Sequence, residues 1–283
     1  KTFTNLEFIQ STDMNTVTEF VKSNTEVELI MLENTRLFQD GADEKNDDVF
    51  AKELSSLADY FIFDAFSVAH REHASVVGVS KYLPHCLGPV ARKELEMLSK
   101  VLDKNNPPFV ILGGAKLSSK LPLLETFVKN GSRVFLGGAM AHPIMANRGV
   151  DIKNSKTENI DVLAFAENKN VLVPTDYVWN DKDMIVDAGE KTLLTLESEI
   201  KTAQNILWNG PLGLYEDGFT SGTYGLIHIL DGKTDKNIVL GGGDTLTVLE
   251  HFPYFSCTYI SLSGGAMLEF LAKGSLPGIL ANK

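Results

Sequence analysis

Four times in this chain an apolar run ends in small residues and passes at once into a helical pattern. The segments are "ILGGAK" (111–116), "FLGGAM" (135–140), "VLGGGD" (239–244) and "SLSGGAM" (261–267). A single joint of this kind has an ordinary explanation in tight strand-to-helix packing. Four of them constrain the fold, because each reads as the end of a strand turning into a helix. In an open parallel sheet all such joints open at the carboxyl edge, where ligands bind. Glycine lets the backbone turn sharply and come close to something. The amides at a helix start have no intrahelical partner, so an anion can fill the space before them. In "NIVLGGGDTLTVLE" (Asn237–Glu250), Gly241, Gly242 and Gly243 separate strand from helix, with Asp244 or Thr245 placed to cap the helix.

The rest of the chain repeats the alternation. Candidate strands are Val27–Leu32, Tyr60–Phe63, Phe109–Leu112, Arg133–Leu136, Val171–Val173, Asn205–Trp208, Ile238–Leu240 and Thr258–Leu262. Most are short, apolar and rich in β-branched or aromatic residues, as strands buried on both faces are. Between them "DVFAKELSSLA" and "LPLLETFVKN" space their apolar residues by three and four. Strands alternating with helices imply an α/β architecture with parallel sheets. "YVW" and "MIVDA", after Pro174, suit a small antiparallel extension. Leu95, Leu98, Val101 and Leu102 form one helical stripe that "DKNNPP" terminates. A helix ending in a proline-rich turn suits a connector between two domains.

With 283 residues the chain is long enough for one large domain or two of ordinary size, and its net charge of −11 argues against nucleic acid and anionic membranes as partners. Cys86 and Cys257 lie far apart with no Cys/His cluster, which argues against a disulfide framework or a zinc site. No signal peptide or membrane-length apolar run is visible, so the expected compartment is the cytoplasm.

The glycine joints match neither GxxxxGK[ST] nor GxGxxG, so a pocket at them belongs to another class of nucleotide or phosphate binder. Lys116 and Lys120, four residues apart, share a face if they lie on a helix, and phosphate charge needs a nearby cation. Asp244 is a helix cap or, beside bound phosphates, a ligand for magnesium, a hard cation that prefers oxygen. In "WNGPLGLYE" (208–216), Asn209 offers an amide and Glu216 a carboxylate, unless the stretch is only a turn. Arg36 and Arg71 each follow a strand, where a guanidinium can grip phosphate or carboxylate. His70 and His73 flank Arg71 and read first as structural residues.

Taken together, "LENTRLF", "EKNDDVFAKELSSLADYFIFDAFSVAHREHAS", "LGGAKLSSKL", "LGGAMA", "LWNGPLGLYE", "VLGGGDTLTVLE", "SGGAMLEFL" and "LPGI" resemble phosphoglycerate kinase, in family order and over nearly the whole chain. The resemblance implies two Rossmann-like parallel-sheet domains joined by a helix, facing each other across a cleft that closes by a hinge. Its expected divisions are a partial phosphoglycerate-binding domain over 1–92, an interdomain helix over 93–104, a nucleotide-binding domain over 105–265, and a segment over 266–283 that returns to the first domain. It implies phosphoryl transfer between 1,3-bisphosphoglycerate and Mg-ADP, giving 3-phosphoglycerate and ATP, by an enzyme that is a monomer when full-length. By similarity Arg36 and Arg71 hold the substrate's phosphate. Lys120 and Asn209 reach the nucleotide phosphates, Gly113, Gly137 and Gly138 line the adenine side, and Gly114 also belongs to the nucleotide-binding set. Glu216 takes the ribose hydroxyls, Asp244 holds Mg2+, and Gly241 and Thr245 complete the last joint. Lys116, with the amides of Gly242 and Gly243, stabilises the phosphoryl group in flight.

The sequence also departs from the family. No D-x-N strand, following arginine or HxxR segment precedes Lys1. The N-terminal domain is therefore expected to be incomplete, with unpaired backbone and apolar surface, and this chain alone nearly inactive. TGGG has become Leu262-Ser263-Gly264-Gly265, and GGGMA has become Gly137-Gly138-Ala139-Met140-Ala141. His142-Pro143 stands where the family has an aromatic and a hydroxyl residue. These changes bear on nucleotide affinity, and the alternative to the enzyme is a catalytically impaired nucleotide-binding fragment or relative.

Overall fold

The computed structural model describes residues 5–283. The chain divides into two compact units, one from the N-terminus to Lys93 with Ser275–Lys283, the other Glu94–Gly274.

In the first unit β1 (Leu6–Ile9) pairs in parallel with β2 (Leu29–Leu32), and β3 (Phe61–Phe63) pairs in parallel with β4 (His85–Leu87). The helix Met14–Ser23 connects β1 to β2 and starts where Asp13 accepts a hydrogen bond from Thr16 N at 3.0 Å. Asp47 does the same for the helix Asp48–Ser55 through Phe50 N. Met14 and Val17 of the first helix and Phe50 and Ala51 of the second meet Ile9 and Phe38 in one core. The Phe38 and Phe50 rings lie 5.7 Å apart and tilted, a favoured aromatic arrangement. Strands β1 and β4 are not foreseen by the sequence pattern, since "LEFI" interrupts its apolar residues with a charge and "HCL" is only three residues long. Leu6 faces Leu29 and Phe8 faces Met31 across the β1–β2 pair, and all four side chains are exposed. The helix Pro277–Ala281 belongs to this unit. Gly278 N donates to Ala69 O at 2.8 Å, and Asn282 Nδ2 donates to Val76 O at 2.9 Å.

The helix Pro89–Val101 carries the chain from one unit to the other, and the division falls between Lys93 and Glu94. It begins earlier than its apolar stripe suggests, because proline is tolerated in a first turn and Asp64 accepts from Ala91 N at 2.7 Å. Ala91, Met97, Leu98 and Val101 are its buried apolar residues, and Glu94 is buried as well.

The second unit is built on a six-stranded parallel sheet. Its strands are β5 (Phe109–Leu112), β6 (Val134–Leu136), β7 (Val171–Leu172), β10 (Asn205–Asn209), β11 (Asn237–Gly241) and β12 (Tyr259–Ser261), in the order β12-β11-β10-β5-β6-β7. Every residue of β5, β6 and β10 is buried, as expected of strands covered on both faces. Ile111, Trp208, Leu240 and Leu226 lie in one core cluster. β8 (Tyr177–Trp179) and β9 (Ile185–Ala188) form the small antiparallel ribbon, with a register shift between Val178 and Trp179. The helix Gly264–Lys273 stays in this unit and packs on Leu121–Lys129, where Thr126 Oγ1 donates to Ala272 O at 3.0 Å. Among the described residues no helix is long and apolar enough to cross a membrane.

Candidate nucleotide site and its neighbours

The glycine joints after β5, β6 and β11 come together with the end of β10 at the carboxyl edge of the sheet, whereas the joint after β12 contributes no residue to the hollow there. β10 and β5 are neighbours, and their backbones continue in contact past the strands. Gly113 N donates to Asn209 O at 2.8 Å. A Cβ on Gly113 would lie 2.0 Å from Pro211 O and 2.5 Å from Gly210 O, so this position admits only glycine. Gly137 is pressed against Leu212, and Gly241 against Met267 Sδ. Gly113, Gly137 and Gly241 are therefore packing glycines. Gly114 and Gly138 line an open hollow, and Gly138 also packs on Gly114, whose O would lie 2.8 Å from a Cβ there.

At the last joint Gly242, with φ +102°, is itself the cap of the helix Gly243–Leu249. This corrects the expectation that Asp244 or Thr245 caps it. Thr245 is drawn inward: its Oγ1 accepts from Gly210 N at 2.7 Å and donates to Gly241 O at 3.2 Å. Asn209 Nδ2 donates to the same Gly241 carbonyl at 2.7 Å. Thr245 and Asn209 thus lace β10 to β11, and Asp244, in the helix's first turn, is left exposed at the rim. A Cβ at Gly243 would meet nothing within 4 Å, so the helix start is uncovered there.

The hollow has a volume of about 250 Å³. Gly114, Ala115, Gly138, Ala139 and His142 form one wall, and Pro174 and β9 line it further. Lys156, Met184 and the segment from Pro211 to Asp217, with Asp244, complete it. Of the residues singled out in the sequence, Gly114, Gly138, Glu216 and Asp244 share this space. Burial raises the pKa of Tyr215, which lies between them in the lining, and the charges of Asp244 and Glu216 add to the rise.

Lys120 is held beside the hollow, close to Gly114. Its Nζ donates to Gly113 O at 2.7 Å and to Asn209 O at 3.2 Å. Burial brings its pKa down from 10.5 to about 8, partly opposed by the charge of Asp244. Lys116 is exposed and is not part of the lining. The two lysines do not share a helix. Lys116 precedes a 3-10 turn at Ser118–Lys120, and the α-helix begins at Leu121. Pro122 explains the boundary, because it lacks an N–H and its ring would clash with the carbonyl four residues back. Ser118 turns to Glu158 instead, donating from N at 3.1 Å and from Oγ at 2.5 Å.

Several lining residues carried no signal in the sequence. Asp187 sits on β9, where it accepts from Gly222 N and Ala188 N, each at 2.9 Å. Burial pushes its carboxyl pKa up. A Cβ on Gly213 would lie 2.4 Å from its Oδ1, so Asp187 ties the Gly213 and Gly222 segments to the ribbon. Its role depends on three segments distant in sequence, which no local spacing reveals. Ala139 lies in the wall, as its position in the joint suggests. Leu262 is exposed, and the buried Ser263 donates from Oγ to Glu94 Oε1 at 2.8 Å.

Arg36 and Arg71 belong to the first unit. Arg36 lies in a 3-10 turn, Thr35–Leu37, where Asn34 accepts from its backbone N at 3.1 Å. The buried Asp43 organises both arginine segments. It accepts from Thr35 Oγ1 at 2.6 Å and from Ser75 N at 2.8 Å, and His73 Nδ1 approaches it to 3.6 Å. His73 therefore faces a structural carboxylate. Arg71 Nε is buried with no hydrogen-bond partner, and Arg36 Nε reaches Glu44 Oε1 at 3.6 Å.

A family model described as phosphoglycerate kinase matches residues 1–274. The chain belongs to this family. It is 34% identical to the phosphoglycerate kinase of Gloeobacter violaceus, over 94% of this chain and 74% of that protein. It is 38% identical to that of Borrelia garinii, over 89% and 71%, and 35% identical to that of Finegoldia magna, over 97% and 76%. The matches thus span about three quarters of those relatives. The phosphoglycerate kinase structure from Coxiella burnetii superposes with a TM-score of 0.79 at 29% identity, covering 99% of this chain and 84% of that one. The Pyrococcus horikoshii enzyme gives a TM-score of 0.75 at 26% identity, covering 93% and 75%.

Proposed function

We propose that the hollow of the second unit holds the nucleotide, and that the chain transfers a phosphoryl group between 1,3-bisphosphoglycerate and ADP, giving 3-phosphoglycerate and ATP. Family membership supports the reaction. The observation that carries the placement is the gathering of Gly114, Gly138, Glu216 and Asp244 around one hollow, with Lys120 beside it. In this reading the flat wall of Gly114, Gly138 and Ala139 takes the base, and Glu216 takes the ribose hydroxyls. Lys120 and the helix-start amides of Gly242 and Gly243 take the phosphates. Phosphoryl transfer asks little covalent chemistry of a protein, so alignment and charge neutralisation are the residues' work. Lys116, exposed and unburdened by the fold, is assigned to the phosphoryl group in transit. Arg36 and Arg71, in the first unit, are assigned to the phosphoglycerate. The Pro89–Val101 helix is proposed as the hinge connector between the two substrate domains.

Magnesium suits the donor set. Among the described residues no three His, Cys, Asp or Glu side chains gather into a cage. Mg2+ is ordinarily held by one or two carboxylates together with substrate phosphates, so the lone exposed Asp244 fits a metal that arrives with the nucleotide. When bound, the metal would neutralise phosphate charge. The enzyme is read as cytoplasmic and monomeric, with no nucleic-acid or membrane partner.

The test is a coupled assay with 3-phosphoglycerate and ATP, set beside calorimetric titration with Mg-ADP. Binding with turnover supports the reading, and binding without turnover favours the impaired relative. The absence of both overturns it.

A further inference from the structure

The wall that includes Gly138 continues through a 3-10 turn, Gly138–Ala141, into the helix His142–Asn147. His142 is only 2% exposed, yet it is part of the lining of the hollow. Its Nδ1 lies 2.6 Å from Lys156 O. A carbonyl oxygen can only accept, so the proton of the ring sits on Nδ1. In the neutral ring Nε2 is then an acceptor, and among the described residues none donates to it. Burial lowers the His142 pKa, which keeps the ring neutral near pH 7 although the Lys156 carbonyl favours the charged form. A buried acceptor of fixed orientation rejects a ligand that brings no donor, because it is then desolvated without a partner. Gly114, Ala115, Gly138 and Ala139 of that wall carry no polar side chain with which to tell one purine from another, and Lys156, which also lines the hollow, is a donor that cannot accept from an amino group.

We propose that His142 selects the base: its Nε2 accepts a hydrogen bond from the exocyclic amino group of a 6-aminopurine nucleoside diphosphate. The selection rests on the nucleotide reading given above and adds to it a specificity-determining side chain. The bond is made in ground state and transition state alike, so it acts on binding and leaves turnover at saturation unchanged.

The experiment compares ADP with purine riboside 5′-diphosphate, which has hydrogen in place of the 6-amino group, by calorimetric titration with Mg2+ present. The unmodified chain is expected to bind ADP roughly tenfold more tightly than the analogue, the factor that one hydrogen bond supplies. His142→Phe is expected to weaken ADP to the level of the analogue and to leave the analogue unchanged. Equal binding of the two nucleotides by the unmodified chain overturns the selection while the nucleotide site stands. A preference that persists in a folded His142→Phe protein overturns the role of His142. Should neither nucleotide bind, the nucleotide reading fails and the selection with it. If His142→Phe does not fold, the comparison in the unmodified chain decides.

Discussion

Lys120 makes nucleotide binding depend on pH in a way the structure fixes. Its ammonium has three N–H groups, and two are directed at Gly113 O and Asn209 O. Only a charged Lys120 keeps a donor and a full charge for phosphate. In the empty protein its pKa is about 8, lowered chiefly by burial. A polyanion nearby favours the charged form and raises that value. The sign follows: binding is strongest while Lys120 is already protonated, and weakens as pH rises past 8 toward the raised value in the complex. The phosphates do not confuse the trend, because their second ionisation, at about pH 6, is about nine-tenths complete at pH 7, and the small remainder would strengthen binding as pH rises, opposite to the effect of Lys120. With a pKa of about 8, about nine-tenths of Lys120 is charged at pH 7 and about one-tenth at pH 9, so affinity for Mg-ADP should fall about tenfold between them. Calorimetry in two buffers of different ionisation heat should record proton uptake approaching one per nucleotide at pH 9. Lys120→Met should bind weakly at both pH values and abolish the uptake. An affinity that is flat between pH 7 and 9, with no proton taken up, would refute Lys120 as a phosphate ligand.

The glycines should separate by role. Gly113→Ala drives a methyl into two backbone carbonyls and should cost about 3 kcal/mol or more in urea unfolding, whereas an unchanged midpoint would disprove the packing role. Gly243→Ala meets nothing within 4 Å and should leave stability within about 1 kcal/mol, yet weaken Mg-ADP binding by crowding the uncovered amides. Unaltered binding would remove the helix start from the site. Thr245→Val leaves Gly210 N–H without its partner in a buried position and should destabilise the second unit by about 1–3 kcal/mol, read by thermal unfolding. Within a complete protein, Lys116→Ala should mainly lower turnover, while Glu216→Ala should mainly weaken ADP, and equal effects on both quantities would count against these assignments.

The sheet of the second unit was legible because its strands are buried on both faces and read as unbroken apolar runs. β5, β6, β10 and β11 each fall on such a run. β1 is not legible because Glu7 interrupts its apolar residues and Leu6, Glu7 and Phe8 are all exposed, so neither an unbroken apolar run nor a burial alternation marks it. Asp244 and Glu216 were legible because each follows a strand end within a few residues. The fate of the individual glycines was not. Gly113 and Gly114 are adjacent, yet one is sealed by Pro211 and the other faces the hollow. Their difference is set by β10, which lies next to β5 in space and almost a hundred residues away in sequence. Asp187 was hidden for the same reason. The pairing of Lys116 with Lys120 on a helix failed on a local rule already present in the sequence, the proline at 122.

The account rests on one claim, that a nucleotide occupies the hollow at the carboxyl ends of β5, β6, β10 and β11. Amide hydrogen exchange with and without Mg-ADP tests it directly. The account predicts slowed exchange at Gly114–Ala115, Gly138–His142, Leu214–Asp217 and Gly242–Asp244, together and at the same nucleotide concentration. Protection confined to other segments, or none at a concentration where calorimetry shows saturation, would contradict it.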